Sequence, residues 1–399
     1  MLNQYLFARE LGNPVSRQLE MYENNRLWHC LTRDEHTSFQ TKELEKGVNC
    51  MDIERQQRRF LLSGQANGSV CMWDLEKSTS TDAGQDVDPD EKFLSPTATV
   101  TASKDTHTHS LTSLHYYPID AGMFLTTAFD RRLLVWDTST LEPAFSTTFA
   151  HAPTSISISP MGHHTLVAVA SPGPEVRLVD LASGSSVRSL GTGGTASVRW
   201  SERDGWLLMA GSTEGEVSIW DVRMARGCLG MLGERRGRVT RGHEGPVNGI
   251  TFSEDGRYVV TSGRDKKIKV WDLATGADTL IAYPPLHRPH RIFSSNPILT
   301  PQITSDPQLL FVPSIDEVIG FDFLRGDVLV KSRAVTQKHT INALIARPNH
   351  CELYFGCSGG EIGIMKAPEL RLNEDGEEKE ENVLNRIYKS LVQEPITFT

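Results

Sequence analysis

Seven times along the 399-residue chain the same short pattern returns: a turn of small residues, an acidic or polar residue, alternating apolar positions, then Trp-Asp or a degenerate form of it. The fullest copy is TSGRDKKIKVWDLATG, Thr261 to Gly276. SGQANGSVCMWDLE, TAFDRRLLVWDTST and AGSTEGEVSIWDVR keep the dipeptide. In SPGPEVRLVDLASG, SIDEVIGFDFLRG and SGGEIGIMKAP the Trp gives way to Val179, Phe321 and Met365. The closing positions are 73, 136, 179, 220, 271, 321 and 365, at intervals of 63, 43, 41, 51, 50 and 44 residues. A unit this short cannot bury its apolar face alone and must stack on its neighbours. The repeat therefore outweighs the two or three domains that length alone suggests.

Trp-Asp repeats of about 40–45 residues are blades of a WD-repeat propeller. Seven copies predict an all-β, seven-bladed WD-repeat β-propeller, with the longer intervals carrying loops. Alternation such as Ile268 and Val270 about Lys269 puts apolar side chains between adjacent blades. Asp255-Gly256 supplies a hairpin turn. In the fullest copy His243 precedes a strand, Asp265 sits in a turn and Trp271 closes the third strand; His107, Asp130 and Trp136 repeat the set. Buried imidazole and indole N–H groups need partners, so each set is expected to form a hydrogen-bonded network that fixes blade geometry. A catalytic role is disfavoured, because no matching nucleophile accompanies both copies. A ring must also close, and the short apolar run Leu27 to Leu31 is assigned as the outer strand of the last blade.

The formal net charge of −9 argues against strong autonomous DNA binding, which calls for a basic face. The one basic stretch, Arg235, Arg236, Arg238 and Arg241, reads as a solvated loop between blades. Six scattered cysteines contain no C-x-x-C pair, so no metal site is expected. The start has neither a signal peptide's apolar run nor any span-length apolar stretch, so no membrane association is expected and the chain is read as soluble, reduced and intracellular.

Residues 1–25 lie outside the repeat. Leu2, Tyr5, Leu6 and Arg9 stand at helical spacing, and Asn13-Pro14 opens a second helix toward Asn24. This pair either packs on the ring or fills a groove on a partner. The propeller is expected over residues 26–368, with an acidic insertion at 76–106. Residues 369–399 form an acidic linker and an amphipathic helix, with Val383, Leu384, Ile387, Tyr388, Leu391 and Val392 on one stripe before Pro395. That helix either docks back or captures a partner.

The block YYPIDAGMFLTTAFDRRLLVWDTSTLEP resembles the Cockayne syndrome A family, WD-repeat proteins of transcription-coupled DNA repair. The likeness extends through LVAVASPGPEVRLVDLASGS, WDVRMARGCL and PVNGITFSEDGRYVVTSGRDKKIKVWD, with MLNQYLFARELG and MDIE, across most of residues 1–366. The resemblance implies a nuclear, non-catalytic substrate receptor of a cullin-4 RING ubiquitin ligase. Its implied attachment is to a triple-propeller adaptor, the large subunit of damaged-DNA-binding protein. Its implied clients are a Cockayne syndrome B-type translocase and the RNA polymerase II complex. Such receptors share an N-terminal helical pair and a W-D-x-R box. The counterparts here are residues 2–24, with Leu2, Tyr5 and Leu6, and Trp220-Asp221-Val222-Arg223, with Leu207, Leu208, Glu214 and Val217 upstream. Arg offers a planar fork of donors that Lys cannot reproduce. The chain departs from the pattern in lacking a clear Gly-His pair in the first, fourth and seventh blades. No cofactor and no catalytic residue are implied; a WD-repeat scaffold of a nuclear or chromatin complex, without ligase attachment, is the alternative.

Overall fold

The computed structural model describes residues 24–34, 37–39, 46–77, 92–224, 227–235, 238–239, 241–286, 297–300, 308–335 and 339–368. Among them stand seven four-stranded antiparallel sheets, the blades of a propeller. Strands a to d run from the inside of each blade outward. Blade 1 is Val48–Ile53, Phe60–Gln65, Val70–Asp74 and Ala98–Val100. Blade 2 is Leu111–Tyr116, Met123–Ala128, Arg132–Asp137 and Pro143–Thr148. Blade 3 is Ser155–Ile158, Leu166–Ala170, Val176–Asp180 and Ser185–Leu190. Blade 4 is Thr195–Trp200, Leu207–Ser212, Val217–Asp221 and Cys228–Met231. Blade 5 is Val247–Phe252, Tyr258–Gly263, Ile268–Asp272 and Ala277–Asp278. Blade 6 is Ile298–Leu299, Leu309–Pro313, Glu317–Asp322 and Val328–Arg333. Blade 7 takes Ile341–Arg347, Glu352–Cys357 and Ile362–Lys366 from the end of the ring, and its outer strand is Thr32–Arg33. Each closing position of the repeat lies on strand c of its blade.

A middle strand lies between two strands of its own sheet, and its sheet lies between two other blades. Strands b and c are therefore buried on both faces, as in Val70–Asp74, where every residue is buried. Outer strands revert to alternation, as in Pro143–Thr148. The apolar core is divided among the gaps between neighbouring blades. One cluster joins Leu62 and Val70 of blade 1 to Leu114 and Trp136 of blade 2. Another joins Ala168 and Leu178 of blade 3 to Val198 and Trp220 of blade 4.

The inner strands are tied by a directional belt of polar contacts. Asn342 of blade 7 donates to the Val48 carbonyl of blade 1 (3.0 Å), and Asn49 of blade 1 to the Leu111 carbonyl of blade 2 (3.2 Å). Thr154 donates to the Thr195 carbonyl (3.1 Å), Ser197 to the Val247 carbonyl (2.6 Å) and Thr251 to the Pro297 carbonyl (2.6 Å). Each hydroxyl or amide serves a backbone acceptor of the next blade, so packing and register are set together. In five blades strand a carries a register shift against strand b at its first residues, as at Val48/Cys50 and Ile341/Ala343. Such bulges tighten the twist the ring needs.

The closing strand differs from the expected one. Residues 24–29 are helical, and the ladder to Lys366 and Met365 is made by Thr32 and Arg33 rather than by Leu27 to Leu31. Trp28 and Leu31 are buried while Leu27, His29 and Cys30 are exposed. That three-residue interval belongs to a helical turn, whereas a strand would have buried alternate residues. The insertion expected over 76–106 is also narrower than its span. Ala98–Val100 is blade 1's outer strand, and Lys92–Leu94 pairs in parallel with Thr37–Phe39. Leu2, Tyr5 and Leu6, with the rest of residues 1–23, and the stripe from Val383 to Val392 lie outside the described residues.

Candidate functional site

The a–b and c–d turns of the blades gather at one end of the propeller, and the b–c and d–a turns at the other. The two His-Asp-Trp sets belong to the second end. His107 Nδ1 meets Asp130 at 2.9 Å, and His107 Nε2 meets Thr126 Oγ1 at 2.7 Å. The same hydroxyl accepts the Trp136 indole N–H at 2.7 Å. In blade 5, His243 meets Asp265 at 3.1 Å and Thr261 at 2.8 Å, and Trp271 donates to Thr261 at 2.9 Å. Both imidazoles are buried. Burial alone would raise the Asp130 carboxyl, but the hydrogen bond and charge of His107 and the backbone N–H groups of Arg132 and Thr108 hold it at about 2. The threonines are the members that sequence reasoning missed. A signal for them exists: each stands ten residues before its Trp. Ser63 occupies that place for Trp73 and accepts its indole N–H at 2.8 Å. Where the Trp is replaced, the tenth residue back is Val169, Phe311 or Phe355, so indole and hydroxyl leave together.

Blade 4 breaks this rule. Ala210 stands where the hydroxyl would be, and Trp220 donates instead to Ser218 of its own strand at 2.8 Å. At the a–b/c–d end of that blade, Arg223 donates to both oxygens of Asp221, Nε at 3.0 Å and Nη2 at 2.7 Å, and lies over the Trp206 ring at 5.8 Å. The pairing holds the Asp221 carboxyl below its usual range. The Arg223 side chain is nevertheless 56% exposed. Of the upstream box positions only Leu207, which pairs with Asp221 across the ladder, lies at this end. Leu208 and Val217 are buried core, and Glu214 lies in the b–c turn, paired with Arg241 at 3.0 Å. A strand of about five residues, roughly 17 Å, separates Glu214 from Arg223. Blade 1 reaches the same arrangement by another route: Arg59, from its a–b turn, donates to both oxygens of Asp74 at 2.8 and 2.6 Å. Of the basic stretch, Glu234–Arg235 and Arg238–Val239 pair as a short hairpin between blades 4 and 5.

The same end carries the mouth of the central channel, a cavity of about 550 Å³ lined by the inner strands. The a–b turn of blade 1 spans it. Arg55 reaches Glu202 of blade 4 at 3.5 Å, Gln56 donates to the Ile119 carbonyl of blade 2 at 2.9 Å, and Arg58 donates to Asn349 of blade 7 at 2.6 Å. Burial would raise the Glu202 carboxyl, but Arg199 and Arg55 outweigh it and hold it low. Among the described residues no group of three or more His, Cys, Asp or Glu side chains is placed to hold a metal ion.

A protein-family model described as WD domain, G-beta repeat matches residues 235–272, the span that ends on the Trp271-Asp272 of the fullest copy. The chain is a WD-repeat protein. Among curated relatives, this WD-repeat chain is similar to WD repeat-containing protein ATCSA-1 of Arabidopsis thaliana, with 26% identity over 390 residues, covering 79% of this chain and 84% of that protein. It is also similar to Radiation-sensitive protein 28 of Saccharomyces cerevisiae, with 24% identity over 198 residues and 43% and 39% coverage. Pre-mRNA-processing factor 19 of Oryza sativa is 27% identical over 188 residues, with 45% and 33% coverage. The chain thus spans most of the first of these proteins and well under half of the other two.

Proposed function

We propose that this WD-repeat protein is a Cockayne syndrome A-like substrate receptor of a cullin-4 RING ubiquitin ligase, acting in the nucleus in transcription-coupled nucleotide-excision repair. The observation that carries the reading is Arg223. It is the arginine of a W-D-x-R box, it lies exposed on a turn, and it belongs to a chain similar to ATCSA-1 over 79% of its length. In this reading residues 2–24 and the a–b/c–d end of blade 4 engage the triple-propeller adaptor, the large subunit of damaged-DNA-binding protein, and through it cullin-4. Another surface holds the Cockayne syndrome B-type translocase and the RNA polymerase II complex. The chain catalyses nothing itself. Tethering raises the effective concentration of substrate lysines near the charged enzyme, and other subunits supply the chemistry.

The test is affinity isolation of the full chain from nuclear extract, beside a variant combining Arg223→Ala with deletion of residues 1–24. The reading requires that the intact chain recover the adaptor and cullin-4 and that the variant lose them. If the intact chain recovers neither, the receptor reading fails and a scaffold role outside ubiquitin ligases, which fits a WD-repeat protein equally, takes its place.

A further inference from the structure

Beside Arg223 the a–b/c–d end of blades 3 and 4 carries an apolar surface that the ring does not use. Met224 is 52% exposed and Met161 is 41% exposed. At the same end Trp206 is half-buried, with the Arg223 guanidinium over its ring, the His164 ring tilted against it at 4.8 Å between centroids, and His163 lying parallel to it, ring centroids 6.4 Å apart and planes 5° apart. The a–b turns of blades 3 and 4 touch beside Trp206. Gly205 packs so closely on blade 3 that an added methyl would sit 2.9 Å from the His163 ring and 3.2 Å from Met161 Cβ.

The turn that presents Arg223 and Met224 is held from three sides. Arg188, from the outer strand of blade 3, donates to the Val222 carbonyl at 2.5 Å and also to the Met224 carbonyl. The Val222 N–H donates to the Trp206 carbonyl at 3.1 Å, and the Met224 N–H to the Asp221 carbonyl at 3.1 Å. Arg223 itself is fixed by Asp221 through Nε and Nη2, which leaves the two N–H groups of Nη1. Tryptophan, methionine and arginine are the side chains that concentrate in interface centres. Holding them in place before contact lowers the entropy lost on association.

We propose that Trp206, Met161 and Met224 form a socket for an apolar side chain of the adaptor, and that Arg223 Nη1 takes a carboxylate beside that side chain. The cationic fork at the edge of an apolar socket selects this chemistry: a bare apolar segment would leave the Nη1 donors buried and unpaired, whereas a carboxylate satisfies them. The inference rests on the reading of this end as the adaptor side. It goes further in placing the anchor on Trp206 and Met224, which lie outside the W-D-x-R box.

The experiment measures binding of the purified full chain to the purified adaptor large subunit by biolayer interferometry, with thermal melting of every variant. Met224→Glu, at an exposed position, is expected to leave the melting temperature unchanged and to weaken binding at least tenfold. Met224→Leu should bind like wild type. Trp206→Ala should weaken binding at least tenfold, and Trp206→Phe should recover most of it. If wild type binds and both Met224→Glu and Trp206→Ala bind within twofold of it, the socket is wrong and the receptor reading stands. If wild type does not bind the adaptor, both fall.

Discussion

The Trp220 indole donates to Ser218 because Ala210 occupies the position from which a hydroxyl serves the indole in blades 1, 2 and 5. In those three blades the acceptor comes from the neighbouring strand and links b to c. In blade 4 the bond stays within strand c.

This difference predicts unequal costs. Thr126→Val or Thr261→Val keeps the shape and leaves both an indole N–H and an imidazole nitrogen without a partner in a buried site. Each unsatisfied group costs about 1–3 kcal/mol. Ser218→Ala removes one partner of one indole and is expected to cost about 1 kcal/mol. Chemical denaturation of the three variants checks the order. Equal losses would show that the shared hydroxyl has no special weight.

Acid should find the same networks. The Asp130 carboxyl is depressed to about 2, and the Asp265 carboxyl is depressed in the same direction, each against its own burial and by its His. A carboxyl that binds protons more weakly when folded favours the folded state above its unfolded value of about 3.9. That contribution declines as pH falls below it and is gone below about 2. Asp130→Asn is therefore expected to lower stability at pH 7 and to flatten its fall between about pH 5 and 2. Melting temperature against pH for both proteins is the measurement. Parallel curves would exclude Asp130 as a source of acid sensitivity.

Arg223 predicts a separation of stability from binding. Its pair with Asp221 is solvent-facing, and exposed pairs of this kind contribute little to stability. Arg223→Ala and Arg223→Lys should melt within a few degrees of wild type. If the proposed receptor role holds, neither should bind the adaptor at wild-type strength, since Lys cannot hold Asp221 through two nitrogens and still offer a third. A full-strength Lys variant would leave charge alone as the requirement.

The ring closure gives a fourth expectation. Trp28 is fully buried against Phe311, ring centroids 5.6 Å apart, and its N–H has no acceptor among the described residues. Trp28→Ala should cost about 3–5 kcal/mol by leaving a cavity. Trp28→Phe should cost much less, because it also removes a buried donor with no partner. Urea midpoints of the two variants decide. If Ala is tolerated as well as Phe, residues 24–31 are not part of the core.

The blades were legible because each ends on a residue of the same role, and even the degenerate closers Val179, Phe321 and Met365 lie on their third strands. The threonines of the networks could have been found by counting back ten residues. Three things were not legible. The exchange of Leu27–Leu31 for Thr32–Arg33 depends on a helical turn whose apolar residues are too few to show a period. The Arg59–Asp74 pair brings together residues from two different turns, which the motif does not name. The belt of inner-strand contacts joins side chains to carbonyls in other blades, and a backbone acceptor leaves no mark on a sequence.

The closing ladder has a further consequence for how this molecule comes into being. Arg33 binds Glu361 and the Ala334 carbonyl, partners 328 and 301 residues away in the chain. The edge that seals the circle is synthesised first, and the partners it needs leave the ribosome 301 and 328 residues later. Throughout that interval the growing protein is an open arc with a bare apolar flank at each extremity, which is the state in which one nascent chain can mate with another. Only the arrival of the last blade converts an adhesive arc into a body without ends.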